Sequence, residues 1–256
     1  PVPPGADDRA CGVMDLLPTS RSQVYDVRKV IDLMADEGSL FELKGRFGKS
    51  MVTALARLGG RTVGFIANNP YFKGGAIDVD ACRKTTSFMV LCDSFNIPIV
   101  MLVDQPGFLI GLEGEKQWAP GRIMNWMNAL SLVTVPTVVV TLRKNYGQAY
   151  LNMGGGRNAD ENAAWPSADF GFMDPAVGVN VLYGVREEDD PEEFRRLVAE
   201  ISRDSSAYAL AALHEAQNIL DPADTRGFLL NALDVHFSAR SQGVGEHLLA
   251  NWPTSF

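Results

Sequence analysis

Two apolar runs of strand length in the middle of the chain constrain the fold most. The segments IPIVMLVD (97–104) and PTVVVTLR (136–143) are almost continuously apolar, which is typical of parallel strands buried on both faces. Segments with helical periodicity, 80–95 and 118–133, follow one strand and precede the other. This alternation predicts an α/β domain whose ligands bind in the loops at the carboxyl ends of the strands.

The flanking segments extend this prediction. Residues 24–34 have helical spacing, and TALARLGGRTVGFIAN places two β-prone runs around Gly59-Gly60, as in a hairpin. Residues 168–174 form a third strand-like run, and charged stretches predict helices at 191–217 and 224–239.

Composition excludes several classes of function. The chain has 256 residues, 46% of them hydrophobic, and a net charge of −8, which argues against binding to nucleic acid or anionic membranes. No apolar run reaches the roughly 20 residues of a membrane helix, so we expect a soluble protein. Cys11, Cys82 and Cys92 lack C-x-x-C spacing and predict reduced thiols, in the cytoplasm or, in a eukaryote, the mitochondrial matrix. The Pro-rich residues 1–22 are linker-like, and residues 23–256 are assigned to one domain.

Familiar catalytic motifs are missing. The GKS at 48–50 has Leu43 where a phosphate-binding loop needs glycine, and there is no H-E-x-x-H metal motif. His214, His236 and His247 all lie near the carboxyl terminus, so a serine or cysteine nucleophile in the glycine-rich core has no obvious base. We therefore predict no metal site and no side-chain nucleophile in this domain.

The turn after the strand at 136–143 is the first candidate site. Tyr146-Gly147 predicts a sharp turn, and a helix is expected from about Gln148. The first amides of a helix have no partner within it, so those of Gln148 and Ala149 form a candidate anion site. A tight turn with only a packing role is the alternative reading.

A second small-residue turn, KGGAID, follows the strand VGFIAN and contains Gly74 and Gly75. It is a candidate for supplying another amide. Two such turns beside a buried strand are similar to the paired oxyanion amides of the crotonase fold.

Longer stretches carry a more specific resemblance. These are GRTVGFIANNP, GGAIDVDACRKTTSFMVLCDSFNIPIVMLVDQPGFLIG, TVPTVVVTLRKNYGQAYLNM, AAWPSADFGFMDPAVGVNVLYG and HEAQNILDPADTR. In this order they resemble the C-terminal half of the carboxyltransferase (beta) subunit of biotin-dependent acyl-CoA carboxylases, the family that includes propionyl-CoA carboxylase. The resemblance implies a crotonase/ClpP-like fold, a layered β-β-α superhelix.

The resemblance also implies a function, namely carboxyl transfer from carboxybiotin to the α-carbon of an acyl-CoA. Its partners would be a biotin carboxyl carrier protein, a biotin carboxylase subunit and an N-terminal carboxyltransferase half, within an oligomer that in this family is a hexamer. Three groups of site residues follow from it. They are Gly147, Gln148 and Ala149 for catalysis, Gly74, Gly75, Gly107, Phe108 and Leu109 for carboxybiotin, and Tyr150 and Leu151 for the acyl pocket.

The chain departs from the family pattern at two of these positions. The usual run is YGGAYD, whereas this chain has YGQAYL. Gln148 keeps its amide but adds a side chain, which is expected to narrow access to the oxyanion site. Leu151 makes the wall of the pocket apolar, which predicts an acyl group longer than propionyl or branched.

Three other functions stay open at this level. A biotin-dependent acyl-CoA decarboxylase subunit would use the same half-site in reverse. A crotonase-type hydratase or isomerase would use similar amides but needs one or two carboxylates over the acyl chain. Glu113, Glu115, Asp78 and Asp80 are interpreted instead as solvated loop side chains. A structural paralogue would only assemble with an active subunit.

Overall fold

A mixed sheet of eight strands organises the described part of the chain, which in this computed structural model comprises residues 12–18, 20, 23–109 and 111–240. Its order is β1-β2-β3-β4-β5-β6-β8, and β7 pairs with the far end of β5. The strands are β1 (Phe41–Leu43), β2 (Met51–Leu58), β3 (Arg61–Asn68), β4 (Ile99–Gln105), β5 (Thr137–Tyr146), β6 (Glu161–Ala164), β7 (Asp169–Gly171) and β8 (Asn218–Ile219).

Helices cover this sheet and connect its strands. They are α1 (Val13–Leu16), α2 (Val27–Met34), α3 (Val79–Ser94), α4 (Leu112–Lys116), α5 (Ala119–Leu132), α6 (Gln148–Asn152), α7 (Pro175–Tyr183), α8 (Pro191–Ser202), α9 (Ala207–Ala212) and α10 (Thr225–Arg240). Strands β3, β4, β5 and β6 are parallel neighbours, with α3 and α5 in the first two crossovers. The predicted α/β architecture is confirmed.

Strand β4 shows why continuous apolar runs were the decisive pattern. All seven of its residues are buried, and the first five, Ile99 to Val103, alternate between two core clusters. Val100 and Leu102 pack on one face of the sheet, and Met101 and Val103 pack on the other. A strand covered by the core on both faces carries apolar side chains at consecutive positions, whereas a strand with one solvent-exposed face alternates apolar and polar side chains.

The hairpin before β4 has the predicted turn. Strands β2 and β3 pair antiparallel, and Gly59 and Gly60 join them with φ of 62° and 81°. Their amides donate to the carboxylate of Asp36 at 3.0 and 2.7 Å. Asp36 also accepts from the guanidinium of Arg226 at 2.7 Å, and Arg226 donates to the carbonyl of Met34. This buried cluster ties α10 to the hairpin.

Two sequence predictions of secondary structure are corrected. The single helix expected at 191–217 is two helices, α8 and α9, because Ser206 caps a new helix by accepting from the amide of Ala209 at 3.2 Å. The strand expected at 136–143 continues to Tyr146, because residues 144–146 pair with β7.

The boundary drawn at residue 22 stays a prediction, but the described part of residues 1–22 contacts the domain. Val13 in α1 is fully buried in the main core cluster. The guanidinium of Arg143 donates to the carbonyl oxygens of Ser20 and Gln23 at 3.1–3.2 Å and lies over the ring of Tyr25. Part of the linker-like segment is therefore packed against the sheet.

The two described cysteines, Cys82 and Cys92, are free thiols buried in the core. Burial raises the pKa of Cys82 to about 12 and raises that of Cys92 as well, so both are inert packing residues. Cys11 lies outside the described residues. Among the helices described, none combines the length and the apolarity needed to cross a membrane.

Candidate functional site

The turn between β5 and α6 has a backbone conformation that requires glycine. Gly147 has φ 63° and ψ −154°, a region that is essentially closed to other residues. Its N–H donates to the carbonyl of Gly171 in β7 at 2.9 Å, and a β-carbon here would lie 3.1 Å from the carbonyl oxygen of Phe172. Strand β7 therefore holds the turn in place.

Two amides just after this turn are available to a ligand. The N–H of Tyr150 donates to the carbonyl of Gly147 at 3.1 Å, but within the described residues no acceptor contacts the N–H groups of Gln148 or Ala149. Gln148 is exposed and Ala149 is buried. Because α6 has only five residues, its macrodipole is weak, and the two amides themselves are the main positive feature.

A cavity of about 440 Å³ lies beside the turn. Gly147, Tyr150, Leu151, Phe170, Phe172 and Glu215 are among its lining residues. Its walls are mainly apolar, and Glu215 is its acidic side chain. The structure thus brings three of the predicted site residues, Gly147, Tyr150 and Leu151, to one cavity.

Tyr150 is held in the wall of this cavity from several sides. Its hydroxyl donates to the carboxylate of Glu215 at 3.1 Å, and its ring meets Phe170 edge to face at 6.1 Å. Gly155 packs so closely that a β-carbon would lie 2.3 Å from the ring. Burial raises the pKa of Tyr150, so the phenol stays a neutral donor at physiological pH.

Glu215 was not predicted from the sequence, although it lies in the HEAQN stretch that carries part of the resemblance. It follows the end of α9, where the amide of Glu215 donates to the carbonyl of Leu210 at 3.1 Å and that of His214 donates to the carbonyl of Ala211 at 3.0 Å. These two bonds form a Schellman motif, with His214 at the left-handed position, φ 58°. Helix termination therefore directs Glu215 to the cavity.

His214 occupies a position where glycine is favoured. Replacing it with glycine is expected to stabilise the protein by about 1 kcal/mol, because a left-handed conformation costs a residue with a β-carbon roughly that much. Urea unfolding of His214→Gly and wild type measures the difference. A lower unfolding midpoint for the variant would contradict this account of the α9 terminus.

The second predicted turn has one occupied amide and one available amide. Lys73, Gly74 and Gly75 all have positive φ, and a β-carbon on Gly75 would lie 2.5 Å from the carbonyl oxygen of Asp104. However, the amide of Gly75 donates to the carbonyl of Phe72 at 3.0 Å. Among described residues, the amide of Gly74 contacts no acceptor. Gly75 permits close packing on β4, and Gly74 is the glycine whose amide stays available.

The loop after β4 lies against this turn. The amide of Ile77 donates to the carbonyl of Gly107 at 3.0 Å, and the amide of Leu109 donates to the carbonyl of Ile77 at 2.8 Å. Phe108 is partly buried and meets Trp126 edge to face at 6.2 Å, whereas Leu109 is 43% exposed. The predicted carboxybiotin residues therefore form one neighbourhood after β3 and β4.

Other candidate polar groups have structural partners. Asp78 caps α3 by accepting from the amide of Ala81 at 2.9 Å and pairs with the ammonium of Lys73 at 2.6 Å. Arg143, which lies in β5 before the Gly147 turn, pairs with buried Asp104 at 2.8 Å. In the described ranges no three His, Cys, Asp or Glu side chains form a potential metal cluster.

A family model and several known proteins match this chain. The model described as "Carboxyl transferase domain" matches residues 1–245. The 12S subunit of methylmalonyl-CoA carboxyltransferase from Propionibacterium freudenreichii subsp. shermanii is 38% identical over 231 residues, which cover 88% of this chain and 44% of that protein. The carboxyltransferase subunit of propionyl-CoA carboxylase from Haloferax mediterranei is 37% identical, covering 88% of this chain and 45% of that protein.

A solved structure agrees with these matches. The transcarboxylase 12S crystal structure described as a hexamer assembly, with hydrolysed methylmalonyl-coenzyme A bound, has a TM-score of 0.85 and 36% identity. The match covers 94% of this chain and 47% of that one. The predicted crotonase-like fold is confirmed by this neighbour. The chain spans about half the length of the relatives it matches.

Proposed function

Because the chain belongs to the carboxyl transferase domain family, we propose that it forms one half of the carboxyltransferase site of a biotin-dependent acyl-CoA carboxylase. The observation that carries the proposal is the turn at Gly147. Gly147 lines a cavity, and the two amides that follow it, those of Gln148 and Ala149, have no acceptor within the described residues. Two main-chain donors fixed in this way stabilise a negatively charged oxygen without reorganisation.

The proposed cofactor is biotin on a carrier protein, which when carboxylated supplies the carboxyl group. The donor set fits a ureido oxygen, because two adjacent amides without acceptors in the described residues can bind one oxygen that gains negative charge. Gly147 orients these amides. Gly74 and the loop Gly107–Leu109, which lie together after β3 and β4, are assigned to carboxybiotin.

The cavity beside Tyr150 and Leu151 is assigned to the acyl group. Apolar side chains, including Leu151, Phe170 and Phe172, form most of its walls, and such walls favour apolar chains. We infer that the substrate is an acyl-CoA whose chain is longer than propionyl or branched. The Tyr150–Glu215 hydrogen bond keeps this wall rigid.

The proposed partners complete the site. A carrier protein and a biotin carboxylase subunit load the cofactor, and an N-terminal carboxyltransferase half supplies the remaining part of the acyl-CoA site. The chain spans about half of its relatives, which supports the need for that half. The hexamer named for the 12S neighbour supports an oligomer.

Leu151→Asp is expected to shift acyl preference. A carboxylate in an apolar wall opposes long apolar chains, so kcat/KM for a longer acyl-CoA relative to propionyl-CoA should fall about tenfold, the effect of a few methylenes. Competition between the two acyl-CoAs in a ¹⁴C carboxylation assay measures this ratio. Leu151→Met is the matched control, and it should leave the ratio of the two kcat/KM values unchanged. A wild-type preference for propionyl-CoA that Leu151→Asp leaves unaltered would refute the assignment.

The function is tested by mixing the chain with the complementary half and a ¹⁴C-carboxybiotinylated carrier protein. Transfer of label to acyl-CoA that depends on this chain supports the proposal. Hydration of an enoyl-CoA without biotin would instead identify a hydratase, and sodium-dependent release of CO2 would identify a decarboxylase. Assembly without either activity would identify a structural paralogue.

A further inference from the structure

The turn that carries the proposed anion site contacts a buried side chain from the neighbouring strand. Gln105 is the last residue of β4 and is fully buried. Its Nε2 donates to Oδ1 of Asn145 at 2.8 Å and to the carbonyl oxygen of Tyr146 at 3.2 Å. Gln105 therefore reaches across from β4 to the residues just before Gly147.

The peptide that joins Tyr146 to Gly147 is fixed at both of its polar atoms. Its carbonyl oxygen accepts from Gln105, and its N–H donates to the carbonyl of Gly171 at 2.9 Å. Because a peptide is planar, fixing both atoms fixes the plane. The amides of Gln148 and Ala149 come next along the chain, so this plane and the φ and ψ of Gly147 together set their direction.

The bond to Gln105 also controls where a partial negative charge lies. Because Gln105 is fully buried, the Tyr146 carbonyl that it binds points into the protein. A carbonyl turned toward the proposed anion site instead would repel a negatively charged oxygen. The hydroxyl of Tyr146 donates to the carboxylate of Asp169, a bond that joins β5 to β7.

We propose that Gln105 is a positioning residue for carboxyl transfer, which holds the Tyr146–Gly147 peptide so that the next two amides meet the developing negative charge. This inference rests on the proposed function. Gln105 touches neither substrate nor cofactor, and its effect passes through the main chain. Asn145, which lines the cavity, holds the Gln105 amide group in the required orientation.

The test compares Gln105→Met with wild type in the assembly of this chain and its complementary half. Methionine has similar length but no N–H donor. We expect kcat to fall about tenfold or more with little change in KM for acyl-CoA, because small misplacements of catalytic groups are costly. In the isolated chain, the ¹H–¹⁵N resonances of Gln148 and Ala149 should shift.

Thr53→Val is the matched control. Thr53 is also buried in the sheet, and its hydroxyl donates to the carbonyl of Leu43 in β1 at 3.0 Å, on the β1–β2 side of the sheet. The control variant should lose a similar amount of folding stability. Its kcat and the resonances of the Gln148 and Ala149 amides should match those of wild type. Equal kcat losses in the two variants, or unshifted resonances in Gln105→Met, would overturn the inference.

Gln105→Glu adds a pH dependence of activity that would not appear if Gln105 served only in packing. A carboxylate has no donor for the Tyr146 carbonyl, whereas a protonated carboxyl group has one. The activity of this variant relative to wild type should therefore rise as the pH is lowered, and a flat ratio would contradict the proposal. If wild type itself transfers no label, the proposed function fails, while the resonances still report whether Gln105 positions the amides.

Discussion

Replacing Gly147 with alanine is expected to reduce carboxyl transfer at least about a hundredfold, comparable to the loss of one oxyanion donor. Alanine does not populate φ 63° with ψ −154°, and its β-carbon would approach the carbonyl of Phe172 to 3.1 Å. The turn must therefore shift, and the amides of Gln148 and Ala149 shift with it. Steady-state transfer of ¹⁴C from the carboxylated carrier protein measures the loss.

Gly184→Ala is the matched control for this variant. Gly184 also has a positive φ, 68°, but a β-carbon there meets nothing within 4 Å. It should cost about 1 kcal/mol of stability and leave the transfer rate unchanged. Equal activity losses at Gly147 and Gly184 would mean that backbone strain in general, and not the direction of the two amides, limits the rate.

Arg226→Leu is expected to cause the largest loss of stability, roughly 3–5 kcal/mol, because it leaves the buried carboxylate of Asp36 without its cationic partner. The side chains of Arg226 and Asp36 are only 2% and 6% exposed. Urea unfolding measures the loss. Arg196→Leu, which removes exposed ion pairs to Glu193 and Glu200 in α8, is the control and should change the midpoint little.

The same cluster predicts how stability depends on pH. Burial opposes ionisation of Asp36, but hydrogen bonds from Arg226, Gly60 and Gly59 outweigh it and lower its pKa below the ordinary value of an aspartate. The stabilisation is therefore complete above the unfolded pKa and is lost as the pH falls through the folded pKa. The deficit of Asp36→Asn relative to wild type should be constant near pH 7 and shrink below about pH 4. A deficit that grows in acid would refute this assignment.

Sequence patterns predicted the elements whose structure depends on their own residues and not on distant partners. Continuous apolar runs identified β4 and β5, and Gly59-Gly60 identified the hairpin. Helix α7 was missed although Asp174 and Pro175 are a typical helix start, with Asp174 accepting from the amide of Ala176 at 3.0 Å.

Other elements depend on distant partners and leave no local signal. Strand β6 has the sequence ENAA, which is not β-prone, and it is a strand because it pairs with the edge of β5. The available amide of Gly74 and the occupied amide of Gly75 cannot be distinguished from spacing alone. Gln105 and Glu215 likewise acquire their roles only when β4 meets the Gly147 turn and α9 meets the cavity.

The central claim is that main-chain donors after Gly147 bind the charged oxygen. A crystal structure of this chain with its complementary half and a biotinylated carrier protein tests it most directly. The account predicts the ureido oxygen within about 2.7–3.1 Å of the nitrogens of Gln148 and Ala149. Biotin bound elsewhere, or these two N–H groups bonded to protein acceptors in the complex, would contradict it.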